Sequence, residues 1–318
     1  MSIDESIAHD RYFATCVLPR EDNAKRQAIH FSYDSSAFLS DNGDIELTVA
    51  PFHSYIGNEA QLPTSQAEHA EVIVEALHSI ESGVLEKVVI SCIKHAKRSS
   101  KSLDAIFQGL IDSYTNACVY IINTPQYGTW MGATPELLLR KKGNEYHTVS
   151  LAGTQAIGSA NPLTWSDKLR REQSLVTDFI LQTIDRCGAS QVNCVGPYTA
   201  QAGPLAHLKT DIHFSSENSS DNLIDQLQPT PAVCGLPREA ARAFILAHTP
   251  FDRRLYAGRL GMRFSTGDEI HFVNLRCMQV FSDHFEIHVG GGIVAGSTPE
   301  DEWHETELKA NVLRNLIH

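Results

Sequence analysis

The chain has 318 residues, enough to bury one large core or two modest ones, and its 42% hydrophobic and 20% charged residues are those of an ordinary globular protein. A formal net charge of -12, uninterrupted by any basic stripe, disfavours nucleic acid and anionic membrane surfaces as partners. No apolar run reaches the roughly 18 to 20 residues of a membrane span, and the acidic start "MSIDESIAHDRYFATCV" lacks the basic-then-apolar pattern of a secretory signal, so a cytoplasmic location is expected. The cysteines are scattered singly without a CxxC pair and read as small buried residues, not ligands.

Along the chain, short strand-like pieces come first, "AIHFSY" and "IELTVAPF", broken by Asp, Asn and Gly turns. "QAEHAEVIVEALHSIESG" then carries a helical stripe and stops at a glycine. "LEKVVISCI" is apolar at successive positions, as a strand covered on both faces would be. "ACVYIINT" and "GTWMGATPELLLRKKG" suggest a hairpin or meander continued by a strand at "EYHTVSLAG". A long helix follows at "KLRREQSLVTDFILQTIDRCG", a strand at "LAHLKTDIHFS" and a helix at "REAARAFILAH". The chain ends in strands at "LYAGRLGMRFS", "IHFVNLRCMQVFS" and "HFEIHVGGGI" and a helix that opens crowded with acid. Strands grouped together, with helices between the groups, predict an α+β fold of antiparallel sheets with helices outside.

Several charged residues fall where a core is expected. In the last helix Glu302, Glu305, Lys309 and Val312 share one face, so the acids lie on the stripe of an inward-pointing apolar residue. A first turn that complements the helix dipole explains them as well as a divalent cation does. Glu172 lies on the stripe of Val176 and Phe179, as a structural ion pair or a ligand. Three inward glutamates without accompanying His or Cys suit Mg²⁺ better than zinc or copper. Lys87 heads the doubly covered strand, either snorkelling at an edge or held in a cavity where an amine can act as a base. Glu136 after a proline is a general acid or a strand-end charge, and Arg276 inside an apolar strand is a carboxylate binder or half of a buried ion pair. Gly290, Gly291 and Gly292 permit close backbone approach, to an anion or merely in a bulge. Tyr256 and His207, taken singly, read as core residues.

In this order, "EKVVIS", "GATPELLLR", "LAGT", "KLRREQ", "HLKT", "QPTPAVCGLP", "YAGRLG", "NLRC", "GGGIV" and "DEWHETELK" resemble the chorismate-utilising enzymes, a family that includes isochorismate, salicylate, anthranilate and aminodeoxychorismate synthases. The likeness spans roughly residues 65 to 318, and within the family it is nearest to the isochorismate synthases. It implies a single α+β domain over 1–318 of two large antiparallel sheets packed together with helices outside, residues 1–64 adding N-terminal strands to a chorismate-binding catalytic core at 65–318.

By position, the resemblance implies that Glu172, Glu302 and Glu305 hold Mg²⁺. Tyr256, Arg276, Lys309, Gly291 and Gly292 would bind the substrate carboxylates, and Thr154, His207 and Ala232 would line the site. Lys87 would be the general base and Glu136 the general acid. The implied reaction turns chorismate into isochorismate, for menaquinone or siderophore synthesis, in a monomer without a glutaminase subunit. Ammonia-using relatives carry Gln where this chain has Lys87, and pyruvate-releasing members usually have Thr where it has Ala232, which places salicylate synthase second. Cys92 and Gln173 depart from residues common in the family. A non-catalytic chorismate-binding protein would have lost the base, the acid or a metal acid, and this chain keeps all of them.

Overall fold

The computed structural model describes residues 2–8, 12–19, 28–34, 37–40, 43–53, 57–157, 163–202 and 205–318. A short helix α1 (Ile3–Ala8) precedes four strands, β1 (Phe13–Val17), β2 (Ala28–Asp34), β3 (Ala37–Ser40) and β4 (Ile45–Ala50). Helix α2 (Gln66–Glu81) begins at a capping box, in which Ser65 and Glu68 satisfy each other's free backbone N–H groups, and it ends before Gly83, whose φ of 77° suits a residue without Cβ. Next come β5 (Lys87–Lys97), buried from Lys87 through Lys94 as its unbroken apolar run predicts, and α3 (Leu103–Ser113).

Strands β6 (Cys118–Thr124), β7 (Gly128–Thr134), β8 (Leu137–Lys142) and β9 (Glu145–Ala156) lead to α4 (Asp167–Arg186), capped by Ser166. Then follow β10 (Ser190–Ala202), β11 (Leu205–Ser215), α5 (Ser220–Leu227), the two-residue β12 (Gly235–Leu236) and α6 (Arg238–His248). The chain closes with β13 (Arg259–Phe264), β14 (Glu269–Val273), β15 (Cys277–Val280), β16 (His284–Ile293) and α7 (Pro299–Ile317). Among the described residues no helix is long and apolar enough to cross a membrane.

The fold is α+β and its described strand pairs are antiparallel, as the grouping of strands predicts. The two expected sheets are joined edge to edge: hydrogen bonding runs continuously through β10-β11-β9-β8-β14-β13, then β4-β3-β2-β1, then β6-β7-β15-β16-β5-β12. Two of the chain's passages between the outer halves are short. After β7 it crosses through Pro135 and Glu136 to β8, and after β14 it crosses through Asn274, Leu275 and Arg276 to β15.

The second crossing corrects the expectation of one strand across "IHFVNLRCMQVFS". Arg276 takes a φ of 47°, a left-handed conformation that a strand cannot continue through, and the ladder restarts with new partners. Two backbone bonds tie the crossings together, Val273 N–H to the Glu136 carbonyl at 3.0 Å and Ala133 N–H to the Arg276 carbonyl at 3.1 Å. Buried residues of α4, α5 and α6 join one apolar core with Tyr146, Val149 and Ile212, while α3 and α7 bury Ile106, Leu110, Ala310 and Leu313 in a second with Val119, Ile121 and Ile287. Cys92 and Gln173 sit in these interiors. Cys92 packs in the second core, and the Gln173 amide donates to the hydroxyls of Thr177 and Thr210 at 2.9 Å, so the amide is satisfied without a charge.

Candidate active site

The glycine run at the end of β16 forms a floor, because β16 pairs with β5 in a register that sets Gly292 opposite Val89 and Ile293 opposite Val88, beside Lys87. A Cβ on Gly292 would overlap Glu172 Oε1 outright and lie 2.9 Å from Lys87 Cε. One on Gly291 would lie 2.8 Å from Glu302 Oε2, and one on Gly290 would lie 2.8 Å from the Tyr256 hydroxyl. Carboxylates from α4 and α7 thus rest directly on bare backbone, an approach that any side chain at these positions would forbid.

Each acid meets a lysine. Lys87 is fully buried, and its Nζ lies 3.1 Å from Glu172 Oε1, off the direction of a proper hydrogen bond, so the buried ammonium has no well-aligned acceptor. Lys168 Nζ donates to Glu302 Oε1 at 2.6 Å, and Ser297 Oγ donates to the same oxygen at 2.7 Å. Lys309 Nζ donates to Glu305 Oε1 and to the Gly290 carbonyl, both at 2.7 Å. Burial, followed by the negative charge of Glu305, pushes the Glu302 carboxyl up, while Lys168 and Ser297 pull it back. The helical spacing places Glu302, Glu305 and Lys309 over the glycines on one inward face of α7, and Thr298 caps that helix by accepting from Asp301 N–H.

The crossings supply the rest of the cleft. Glu136 is 4% exposed, and burial pushes its carboxyl up to about 7 despite the opposing charges of Lys87, Lys309 and Arg276. His207 Nδ1 lies 3.1 Å from the Gly153 carbonyl, which can only accept, so Nδ1 carries the hydrogen and the Nε2 lone pair faces the Arg276 guanidinium in close contact. Burial and then the charges of Arg276 and Lys309 hold the His207 imidazole well below its usual value, hence neutral. Burial likewise brings Arg276 down to about 10 and pushes the Tyr256 phenol up. Asn274 fixes this crossing by donating to the Leu255 carbonyl at 2.8 Å and accepting from the Tyr120 hydroxyl at 2.6 Å.

Glu136, Thr154, Glu172, His207, Ala232, Tyr256, Arg276, Gly291, Gly292 and Lys309 line one cleft. Lys87 adjoins this cleft, packed against Glu172 and Gly292, and Glu302 and Glu305 lie against Gly291. Every residue singled out in the sequence is therefore at this one place. The bland alternative for Lys87, an edge lysine reaching solvent, does not hold, because its amine is enclosed.

Sequence reasoning overlooked Lys168 and Ser297. Lys168 had a readable signal, since it lies one turn before Glu172 on α4, whereas Ser297 reaches Glu302 through a turn that no periodicity announces. As a donor set, the three glutamates offer only hard carboxylate oxygens, and the repulsion between Glu302 and Glu305 is of the kind a divalent cation relieves. The residues present therefore fit Mg²⁺, although each now spends an oxygen on a lysine. Chemically, the cleft combines a buried amine, a buried acid that holds its proton near neutrality, and two cations able to receive carboxylates.

A family model described as chorismate binding enzyme matches residues 6–318. "Isochorismate synthase MenF" of Escherichia coli K12 is 31% identical over 274 residues, 80% of this chain and 63% of that protein. "Isochorismate synthase DhbC" of Bacillus subtilis 168 is 28% identical over 256 residues, 74% of this chain and 64% of that one. The match thus spans a little under two thirds of the length of these two curated relatives. Among solved structures, a putative 2,3-dihydroxybenzoate-specific isochorismate synthase from Bacillus anthracis superposes with a TM-score of 0.83 at 21% identity, covering 99% of both chains. The menaquinone-specific isochorismate synthase of Escherichia coli gives 0.80 at 21% identity, covering 96% of this chain and 89% of that one. The two superpositions establish the shared fold.

Proposed function

The chain belongs to the chorismate-binding enzyme family, and on that premise we propose that it is an isochorismate synthase, an isomerase that adds water at C2 of chorismate as the C4 hydroxyl leaves. The observation that carries the reading is the pairing, around one cleft, of an enclosed lysine amine with a buried carboxyl whose pKa is pushed up to about 7. The names of the relatives support the same activity.

In this reading the Lys87 amine takes a proton from a water that attacks C2. The ring double bonds shift, and Glu136 gives its proton to the C4 oxygen, which departs as water. Proton return from Lys87 to Glu136 through solvent closes the cycle without net consumption of water. Glu172 Oε1 lies 3.1 Å from the Lys87 amine, so the amine can turn to a water only when Glu172 is engaged elsewhere.

Arg276 and Lys309 receive the two carboxylates of the substrate, and neutral His207 holds the guanidinium in place. With Glu136 protonated, the side chains around the floor present four cations, Lys87, Lys168, Lys309 and Arg276, against three carboxylates. A doubly negative substrate alone would overturn that balance, and a divalent cation arriving with it would preserve it. Mg²⁺ held by Glu172, Glu302 and Glu305 would supply charge stabilisation at the ring carboxylate. A lysine rather than Gln at position 87 supports water over ammonia as nucleophile, and with it a monomer acting without a glutaminase subunit. We place the enzyme in the cytoplasm, feeding menaquinone or siderophore synthesis.

The test is to incubate the purified chain with chorismate, with and without Mg²⁺, and to identify products by chromatography and mass spectrometry. Mg²⁺-dependent isochorismate without pyruvate is expected. Salicylate with pyruvate would replace this reading by the lyase one, and binding without turnover would replace it by a binding protein.

A further inference from the structure

On the same β5–β16 strand pair, several residues along from the glycine floor, three side chains form a cluster with no part in the chemistry above. His95 and Glu286 are directly opposed across the ladder, and His284 lies two residues before Glu286, on the same face of β16. Among the described residues, His95, His284 and Glu286 are the one group whose metal-type ligand atoms all lie within 4.8 Å of one another. Glu286 Oε1 lies 3.7 Å from His284 Nε2 and 3.9 Å from His95 Nε2. A tetrahedral ion with bonds of about 2.0 to 2.1 Å holds its ligand atoms about 3.3 Å apart, so Glu286 Oε1 would have to close on each imidazole by only a few tenths of an ångström.

Two independent features point into this cluster. The Glu286 side chain is fully buried, yet its Oε2 has no hydrogen-bond partner, a costly arrangement for a carboxylate oxygen. His284 is oriented as a ligand would be: its Nδ1 lies 2.7 Å from Asp283 Oδ1, which fixes the hydrogen on Nδ1 and leaves Nε2 as a bare acceptor, also without a partner. His95 Nε2 at present donates to the Gln61 carbonyl at 2.8 Å, and the Gln61 N–H closes on Glu286 Oε1. Ion binding would exchange the first of these bonds for coordination.

We propose that His95, His284 and Glu286 form a second metal site, distinct from the three-glutamate floor, that takes a borderline-soft divalent cation of the zinc class with water in its open position. Two imidazoles and one carboxylate are a donor set for Zn²⁺ or Co²⁺ and a poor one for Mg²⁺. The half-exposed His95 leaves room for the water. The Arg254 guanidinium, which binds Gln279 Oε1 at 2.5 Å and the Glu59 carbonyl, adds a positive field on Glu286 that holds the affinity below that of an unopposed site.

The experiment is a Co²⁺ titration of the chelator-treated full chain, followed by visible absorption and then by displacement with Zn²⁺. One Co²⁺ per chain with the strong d–d bands of a four-coordinate nitrogen–oxygen site is expected, and Zn²⁺ should erase them. Glu286→Gln and His284→Ala should each weaken binding by at least about tenfold. Glu302→Gln should leave the bands unchanged, and Glu286→Gln should leave Mg²⁺-dependent turnover of chorismate unchanged, which separates this site from the proposed active site. If Glu286→Gln fails to fold, His284→Ala carries the test. Absence of the bands, bands that survive both variants, or bands lost in Glu302→Gln would each overturn the proposal.

Discussion

Replacing Glu136 by Gln keeps the side chain's shape and removes its proton, which tests the acid assignment in two ways. Burial raises this carboxyl from the ordinary 4.5 to about 7, so the folded chain binds the proton more tightly than the unfolded chain does. The contribution of Glu136 to stability is therefore fully present below 4.5 and is lost as pH rises through about 7. The gap corresponds to about 3 kcal/mol, and Glu136 is nearly fully enclosed, so little of it should be lost to solvent screening. Urea unfolding at about pH 5 and about pH 8 should show the wild type losing most of that amount relative to Glu136→Gln. In activity, wild-type kcat/KM should fall as pH rises through about 7, because an ionised Glu136 has no proton to give. Glu136→Gln should lower kcat by about 10²- to 10⁴-fold and abolish that alkaline limb. The same pH dependence of unfolding in both chains, together with an unchanged alkaline limb in the residual activity, would refute the reasoning.

Lys87→Ala should reduce kcat by about 10²- to 10⁴-fold while leaving chorismate and Mg²⁺ binding measurable by calorimetry, because it removes the proposed base without removing a proposed metal ligand. Retained turnover would sink that role. Glu305→Gln should shift the Mg²⁺ activation curve to higher concentration, and an unchanged titration would count against its place in the metal set. Gly292→Ala puts a methyl group into Glu172 Oε1 and Lys87 Cε, so it should destabilise the chain by about 1 to 3 kcal/mol and displace the base. A variant with wild-type melting temperature and activity would show that the floor tolerates what its geometry forbids.

Much of the site was legible because its residues break local patterns. An acid on the apolar stripe of α7, a second on α4 and a lysine at the head of a doubly buried strand each conflict with burial unless partners exist, and the structure supplies those partners. The left-handed turn at Arg276 was not legible, because arginine carries no local signal for positive φ and the flanking residues keep alternating as in a strand. Strand β10 escaped notice for the opposite reason. It lies exposed at the sheet edge with Val192, Val195 and Tyr198 facing solvent, so it lacks the period-two contrast that marks a half-buried strand. The joining of the halves through β1 to β4, and the meeting of His95 with Glu286, depend on register between distant segments, which the composition of neither segment encodes.

The central claim is that Lys87 activates solvent water against C2 while Glu136 releases the C4 oxygen. It is tested most directly by running the reaction to low conversion in ¹⁸O-labelled water and locating the label in the product by mass spectrometry. The account predicts isochorismate carrying one ¹⁸O at the C2 hydroxyl. Isochorismate without label would mean that the hydroxyl migrates within the substrate, and it would contradict the roles assigned to both residues.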